Sequence, residues 1–203
     1  MVEPERACGE RRRAPILWSV ARVAEMTLEP TLRSANMITG VWRQFGVHAF
    51  EGTLTLDDMA RMETFGNLWH TRNRGKVVEM AVIFPSKARL GGEERARIAK
   101  IIRRWEMTRT ASATVILASG LVGSMQRSVL TGLMMIAPPP HPIKVFGTTA
   151  DAATWLAPYI QAVCGVDATA EGIRAAIDVL CASFRATGPA VPPGQRTQTQ
   201  SRA

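Results

Sequence analysis

Between Phe45 and Phe50 the chain alternates, with Phe45, Val47 and Ala49 interleaved with Gly46, His48 and Phe50, the two-residue period of a half-buried strand. The wider stretch from Val41 to Thr55 is rich in aromatic and β-branched residues and predicts two short strands, with Gly46 or Gly52 marking a turn or bulge. The period then lengthens. Met59, Met62, Phe65 and Trp69 recur at helical spacing behind Thr55 and Asp58, a capping-box pair whose hydroxyl and carboxylate satisfy the first free amides of a helix. Lys76 to Phe84 is a compact apolar run stopped by Pro85, as a strand covered on both faces reads. The acid inside it, Glu79, must therefore lie near an end of the strand or be paired.

The same alternation of periods continues. After Gly91 and Gly92, Glu93 and Glu94 suit a helix N-terminus, Ile98, Ile101, Ile102 and Trp105 form its stripe, and Arg103 and Arg104 suit its C-terminal dipole. Ala113 to Ala118 reads as a short buried strand. Val122, Met125, Val129, Leu130, Leu133 and Met134 then stripe a third helix, which Pro138, Pro139 and Pro140 stop. Ile143 to Gly147 supplies another strand. Thr148 to Asp151 opens a helix with Trp155, Leu156, Tyr159 and Ile160 facing inward, kinked or restarted at Pro158. A last helix, about Ala168 to Arg185, carries Ile173, Ile177, Leu180 and Phe184 on its inner face. Strands alternating with helices predict the α/β class, a mixed sheet of about five strands flanked by helices.

The two ends read differently. Met1 to Asn36 has no settled period, although Ile16, Leu17, Val20, Val23 and Ala24 fit one short amphipathic helix, and it is expected to be a poorly ordered leader. Met26 and Met37 each offer an alternative start, and a chain running from Met37 to about Gly188 is expected to fold as well as the whole. Gly188 to Ala203 is rich in Pro, Gly, Gln, Thr and Ser, with Val191 its only large apolar residue, and is expected to be disordered. The implied organisation is a leader over 1–36, a domain over 37–163, a C-terminal helix within 164–187 and a tail over 188–203.

Composition narrows the classes. With 46% apolar residues in 203, the chain has enough to build a core. No apolar run approaches the roughly 18 to 20 residues of a membrane span, since Ala14 to Ala21 is short and broken by Arg22. Arg11, Arg12 and Arg13 precede that run without a convincing cleavage site beyond it, so a cytoplasmic location is expected. Cys8, Cys164 and Cys181 are odd in number and far apart, fitting reduced thiols rather than a disulfide framework or zinc knuckle. His48, His70 and His141 lack metal-ligand spacing. The net charge of +8 raises nucleic-acid binding, yet only the C-terminal tail, with Arg185, Arg196 and Arg202, is one-sided, and aromatic residues do not interleave with the basic ones.

The order of strands and helices resembles that of the STAS domain, the fold of the anti-sigma-factor antagonists (SpoIIAA-like). Phe50-Glu51-Gly52-Thr53-Leu54-Thr55-Leu56 is similar to that family's second strand and the approach to its first helix. Val145-Phe146 with Asp151-Ala152-Ala153-Thr154-Trp155-Leu156 is similar to its closing strand and helix. The resemblance covers roughly Ile38 to Ile160. It implies a regulatory domain that binds a protein partner and is switched by phosphorylation of a serine in the loop after the third strand. The family's Asp-Ser pair is missing from that loop, which reads Phe84-Pro85-Ser86-Lys87-Ala88-Arg89. One alignment puts Ser86 at the phosphorylated place and a shifted one puts Ala88 there. A phosphate on Ser86 would add about −1.5 to −2 charges near the second helix, within reach of Lys87 or Arg89. The alternative is a plain turn serine.

A second constellation runs from Ser119 to Ser128, where Gly120 and Gly123 let backbone approach an anion and Ser124 and Arg127 stand ready to hold one. It lacks the Gly-Lys-Ser/Thr of a phosphate-binding loop and equally reads as a tight turn. No catalytic residue, cofactor motif or metal motif is legible. The function expected is a non-enzymatic STAS-like regulatory or protein-interaction domain, docking through Pro85 to Arg109. Its alternatives are a small-ligand or nucleotide-phosphate binder using Gly120 to Arg127, and a nucleic-acid binder using the basic tails.

Overall fold

The two-residue period between Met37 and Phe50 folds back on itself at Arg43 and Gln44, giving the hairpin from which the sheet grows. A computed structural model describes residues 26–86, 91–136 and 139–186. Six strands form one sheet in sequence order: β1 (Glu29–Arg33), β2 (Met37–Trp42), β3 (Phe45–Phe50), β4 (Val77–Ile83), β5 (Arg109–Ile116) and β6 (Ile143–Phe146). The first two pairings are antiparallel, and those joining β3, β4, β5 and β6 are parallel. Parallel neighbours need a crossover, and each is a helix: α1 (Leu56–Arg72), α2 (Gly92–Trp105) and α3 (Gly120–Ile136). Two further helices, α4 (Thr149–Cys164) and α5 (Ala170–Ala186), close the opposite face of the sheet. This is the expected mixed α/β sheet flanked by helices, with six strands where about five were expected, the third expected strand, β4, lying inside the sheet and the hairpin beside it.

Strand parity divides the core into two unlike halves. Phe45, Val47, Ala49, Val78, Met80, Val82, Ala111, Ala113 and Val115 face α4 and α5, where Leu156, Ile160, Ile173, Ile177 and Leu180 complete a wholly apolar layer. The alternate residues face α1 and α2. There a smaller apolar cluster, with Met37, Met59, Met62, Ile101 and Trp105 among its members, shares the face with buried Thr39, His48, Glu79 and Ser112.

The expected caps form. Thr55 accepts from the Asp58 amide while the Asp58 carboxylate accepts from the Thr55 amide. Gly52 takes a left-handed φ of 86° at the bend before α1.

Several boundaries move. Glu29–Arg33 is strand β1, inside the segment read as leader, and Leu28 is buried in the larger core. The expected helix around Ile16 to Ala24 and the tail from Gly188 lie outside the described residues. Gly46 is not a turn but the second residue of β3, opposite Val41, where a Cβ would stand 2.8 Å from the Trp69 ring. The chain reverses instead at Arg43, which takes a left-handed φ of 53° and whose guanidinium donates to the Cys164 carbonyl at 3.3 Å. Pro158 leaves α4 unbroken because it sits on the exposed face, where the carbonyl it leaves without an amide can meet water. On α3, Met125 and Val129, expected to face inward, are exposed.

Candidate functional site

Two places concentrate chemistry-bearing side chains, one sealed and one open. The sealed one is a polar band across the sheet beneath α1 and α2. In register, Thr39 stands opposite His48 on the neighbouring strand, and Glu79 opposite Ser112. His70, in the last turn of α1, brings Nε2 to 2.6 Å from Glu79 Oε1, and Arg109 Nε donates to the other carboxylate oxygen. His70 Nδ1 meets the Thr108 hydroxyl at 2.7 Å, and that hydroxyl donates to the Trp105 carbonyl at 2.8 Å. The Trp105 indole stacks on His70 with centroids 5.0 Å apart, and the Arg109 guanidinium lies over the same indole. His141 Nδ1 donates to the Glu106 carbonyl at 3.1 Å, so its Nε2 accepts from the Ser112 hydroxyl at 2.9 Å.

Burial alone would raise the Glu79 carboxyl, but the Arg109 charge and the His70 hydrogen bond outweigh it and hold it well below the usual carboxylate range. His48 goes the other way for its class. Burial pushes it down to about 4, helped by Arg109 and His70 and opposed by Glu79. Its Nδ1 meets the Thr39 hydroxyl at 2.9 Å, while Nε2 is buried and finds no hydrogen-bond partner among the described residues. Ser112 and His141 have the polarity of a nucleophile and its base, yet at 6% and 7% exposure they are shut away from any substrate. The band acts as an internal clamp joining α1, β4, β5 and the segment before β6.

Sequence spacing separates these three histidines; strand parity turns His48 to this face, the last turn of α1 brings His70, and the segment before β6 brings His141. Glu79, an acid inside an apolar run, was the signal that polar partners had to converge there.

The open place is a cleft of about 1000 Å³ alongside β6. Its walls are Ser124, Arg127, Ser128 and Thr131 of α3 on one side and Asp151, Thr154 and Trp155 of α4 on the other; Lys144, Val145, Phe146 and Gly147 form the floor. Of the sequence candidates, Ser124 and Arg127 are brought together here, whereas Gly120 and Gly123 do not line it. Arg127 Nη1 donates to the Ile116 and Ala118 carbonyls at 3.2 and 3.1 Å, and Nη2 to Ser124 Oγ at 3.3 Å. Gly123 presses so closely on the Ala118 carbonyl that a Cβ would overlap it. The turn is thus filled by its own arginine.

Ser86 is exposed just beyond the C-terminal end of β4; Lys87 and Arg89 lie outside the described residues. Glu93 and Glu94 already occupy the first turn of α2, with the Glu94 carboxylate folded over Gly91. Outside both places, Leu121, Met125 and Val129 on α3 are 86%, 59% and 59% exposed.

Among the described residues, no group of three or more His, Cys, Asp or Glu side chains could hold a metal, and no helix is long and apolar enough to cross a membrane. No family model and no curated protein matches the chain. Among solved structures, it is similar to an uncharacterised protein of the DUF3478 family with a SpoIIAA-like fold from Shewanella loihica, at 18% identity and a TM-score of 0.45, over 62% of this chain and 98% of that one.

Proposed function

We propose that this chain is a non-enzymatic, STAS-like regulatory domain that works by binding another protein, with α3 as the principal contact. The observation that carries this reading is the row Leu121, Met125 and Val129. Four residues apart, they stand on one side of α3 and face solvent, whereas the stripes of α4 and α5 turn into the core. An exposed apolar row on a helix that covers a sheet marks an interaction surface. The groups best suited to acid-base work, Glu79, His70 and His141, are tied to one another or to backbone beneath α1 and α2, which favours action by contact over turnover.

Ser86 remains the candidate for phosphorylation. Phosphate there would add its charge on the exposed segment just beyond the C-terminal end of β4, ahead in sequence of a helix whose first turn is already acidic. A nucleotide-phosphate reading has less support, because the Gly120 to Gly123 turn is closed by Arg127.

A photo-crosslinking residue at Met125, in the cells that make the protein, tests the reading. One discrete heteromeric adduct is expected, lost in Leu121→Glu without a change in thermal midpoint. Absence of such an adduct, or a Leu121→Glu variant that is destabilised like a core mutant, would refute it.

A further inference from the structure

We infer that the cleft beside β6 is a strand-addition site for an acidic, extended segment of a partner protein. The inference rests on the protein-binding reading and specifies the kind of partner.

The geometry begins with parity. Successive side chains of a strand point to opposite faces of the sheet, so a cavity on one face touches every second residue. This cleft touches Lys144, Val145, Phe146 and Gly147 in succession. It therefore looks at β6 edge-on, with α3 rising on one face of the sheet and α4 on the other, where the next strand would lie. No strand lies beyond β6 among the described residues.

The backbone agrees. Ser112 donates its amide to the Pro142 carbonyl at 2.9 Å, and along a strand these groups alternate in direction. Lys144 accordingly turns its amide and carbonyl toward β5, and Val145 turns both of its own into the cleft. An added strand would pair there.

Charge selects the occupant. Lys144 shares the face of Phe146, over whose ring its Nζ lies at 5.4 Å, and Arg127 stands on the α3 side. Neither is in an ion pair with a described carboxylate, and Asp151, the acid in the cleft, is tied to Thr148 at the start of α4. A second copy of β6 would bring like charges together, because a short edge strand carrying lysine resists pairing with itself. A segment alternating acidic with apolar residues fits instead: with its apolar side chains on the α4 face against Trp155 and Phe146, its acids turn to the α3 face against Arg127, while Lys144 adds to the positive charge of the edge.

The test is fluorescence anisotropy of the full chain with a short synthetic peptide alternating glutamate with valine. Saturable binding is expected, and none is expected for the lysine–valine counterpart. Val145→Pro removes only the outward amide and should weaken binding about tenfold or more, as should Lys144→Glu. Methylating alternate backbone amides of the peptide should abolish binding to the unaltered protein, a control that does not depend on the variant folding. Binding that survives methylation, or that inorganic phosphate displaces, would overturn strand addition and leave a simple anion site. No binding of the peptide would overturn it as well. Leu121→Glu should leave peptide binding intact, so loss of the α3 contact and loss of the strand site are read separately.

Discussion

Within the band beneath α1 and α2, His48 is the side chain whose surroundings most strongly oppose a charge. Its folded value near 4 lies below the ordinary 6.5, so the native protein keeps the ring neutral where the unfolded chain would protonate it. The contribution to stability is therefore fully present above the unfolded value and is lost as pH falls from 6.5 toward 4. From about pH 7 to about pH 5 the loss from this residue comes to about 2 kcal/mol. His141 is lowered too and adds in the same direction. Glu79, held low, adds its own loss only at more acid pH. Urea midpoints across this range should fall with acid, and His48→Leu, which removes the orphaned Nε2, should flatten the fall. An equal slope in that variant would mean that His48 is not the group titrating. At this scale the sequence told half the story. Glu79 inside an apolar run required a partner, but His70 is nine residues away and Arg109 thirty, and only the docking of α1 and the β4–β5 register bring them to it.

At the scale of elements, α1 and α2 meet at Gly66 and Trp105. The indole is buried, donates Nε1–H to Asn67 Oδ1 at 3.0 Å, and lies where a Cβ on Gly66 would intrude. Trp105→Ala should cost about 3 to 5 kcal/mol, since it removes a large core side chain. Gly66→Ala should cost about 1 to 3 kcal/mol by overpacking, despite alanine's better helix propensity. Combined in one chain the two should not add, because without the indole the alanine methyl has room and its propensity is gained. Additive costs in thermal or urea unfolding would show that the helices do not meet there. Helix α1 was legible because its cap and stripe agreed, α2 because its stripe agreed with the charges at its two ends, and α5 from its apolar stripe. The third was misread on its face, because an apolar stripe says that something covers it without saying whether that is the sheet or a partner. Met125 and Val129 are not covered by the sheet and face solvent.

For the whole molecule, the segment before Met37 carries the largest revision. Periodicity cannot reveal β1, five residues with Pro30 inside and a bulge between Pro30 and Leu32, because an edge strand needs little alternation to be held by its neighbour. Yet β1 closes the antiparallel edge, Leu28 ahead of it is buried with α5, and Arg33 reaches the last turn of α5, where Nη2 donates to the Ser183 and Phe184 carbonyls at 2.9 and 3.2 Å. Removing the first 36 residues would expose the edge of β2, uncover the core beside Leu180, and leave those helix-end carbonyls without their cation. Burial of a leucine alone contributes about 1.5 to 3 kcal/mol. A chain starting at Met37 should therefore unfold at a lower urea concentration than the full chain by more than that single side chain explains. Leu28→Ala and Arg33→Ala in the full chain should each reproduce part of the loss. Equal midpoints for the full and shortened chains would mean that β1 contributes nothing to holding the sheet, and that the domain begins at β2.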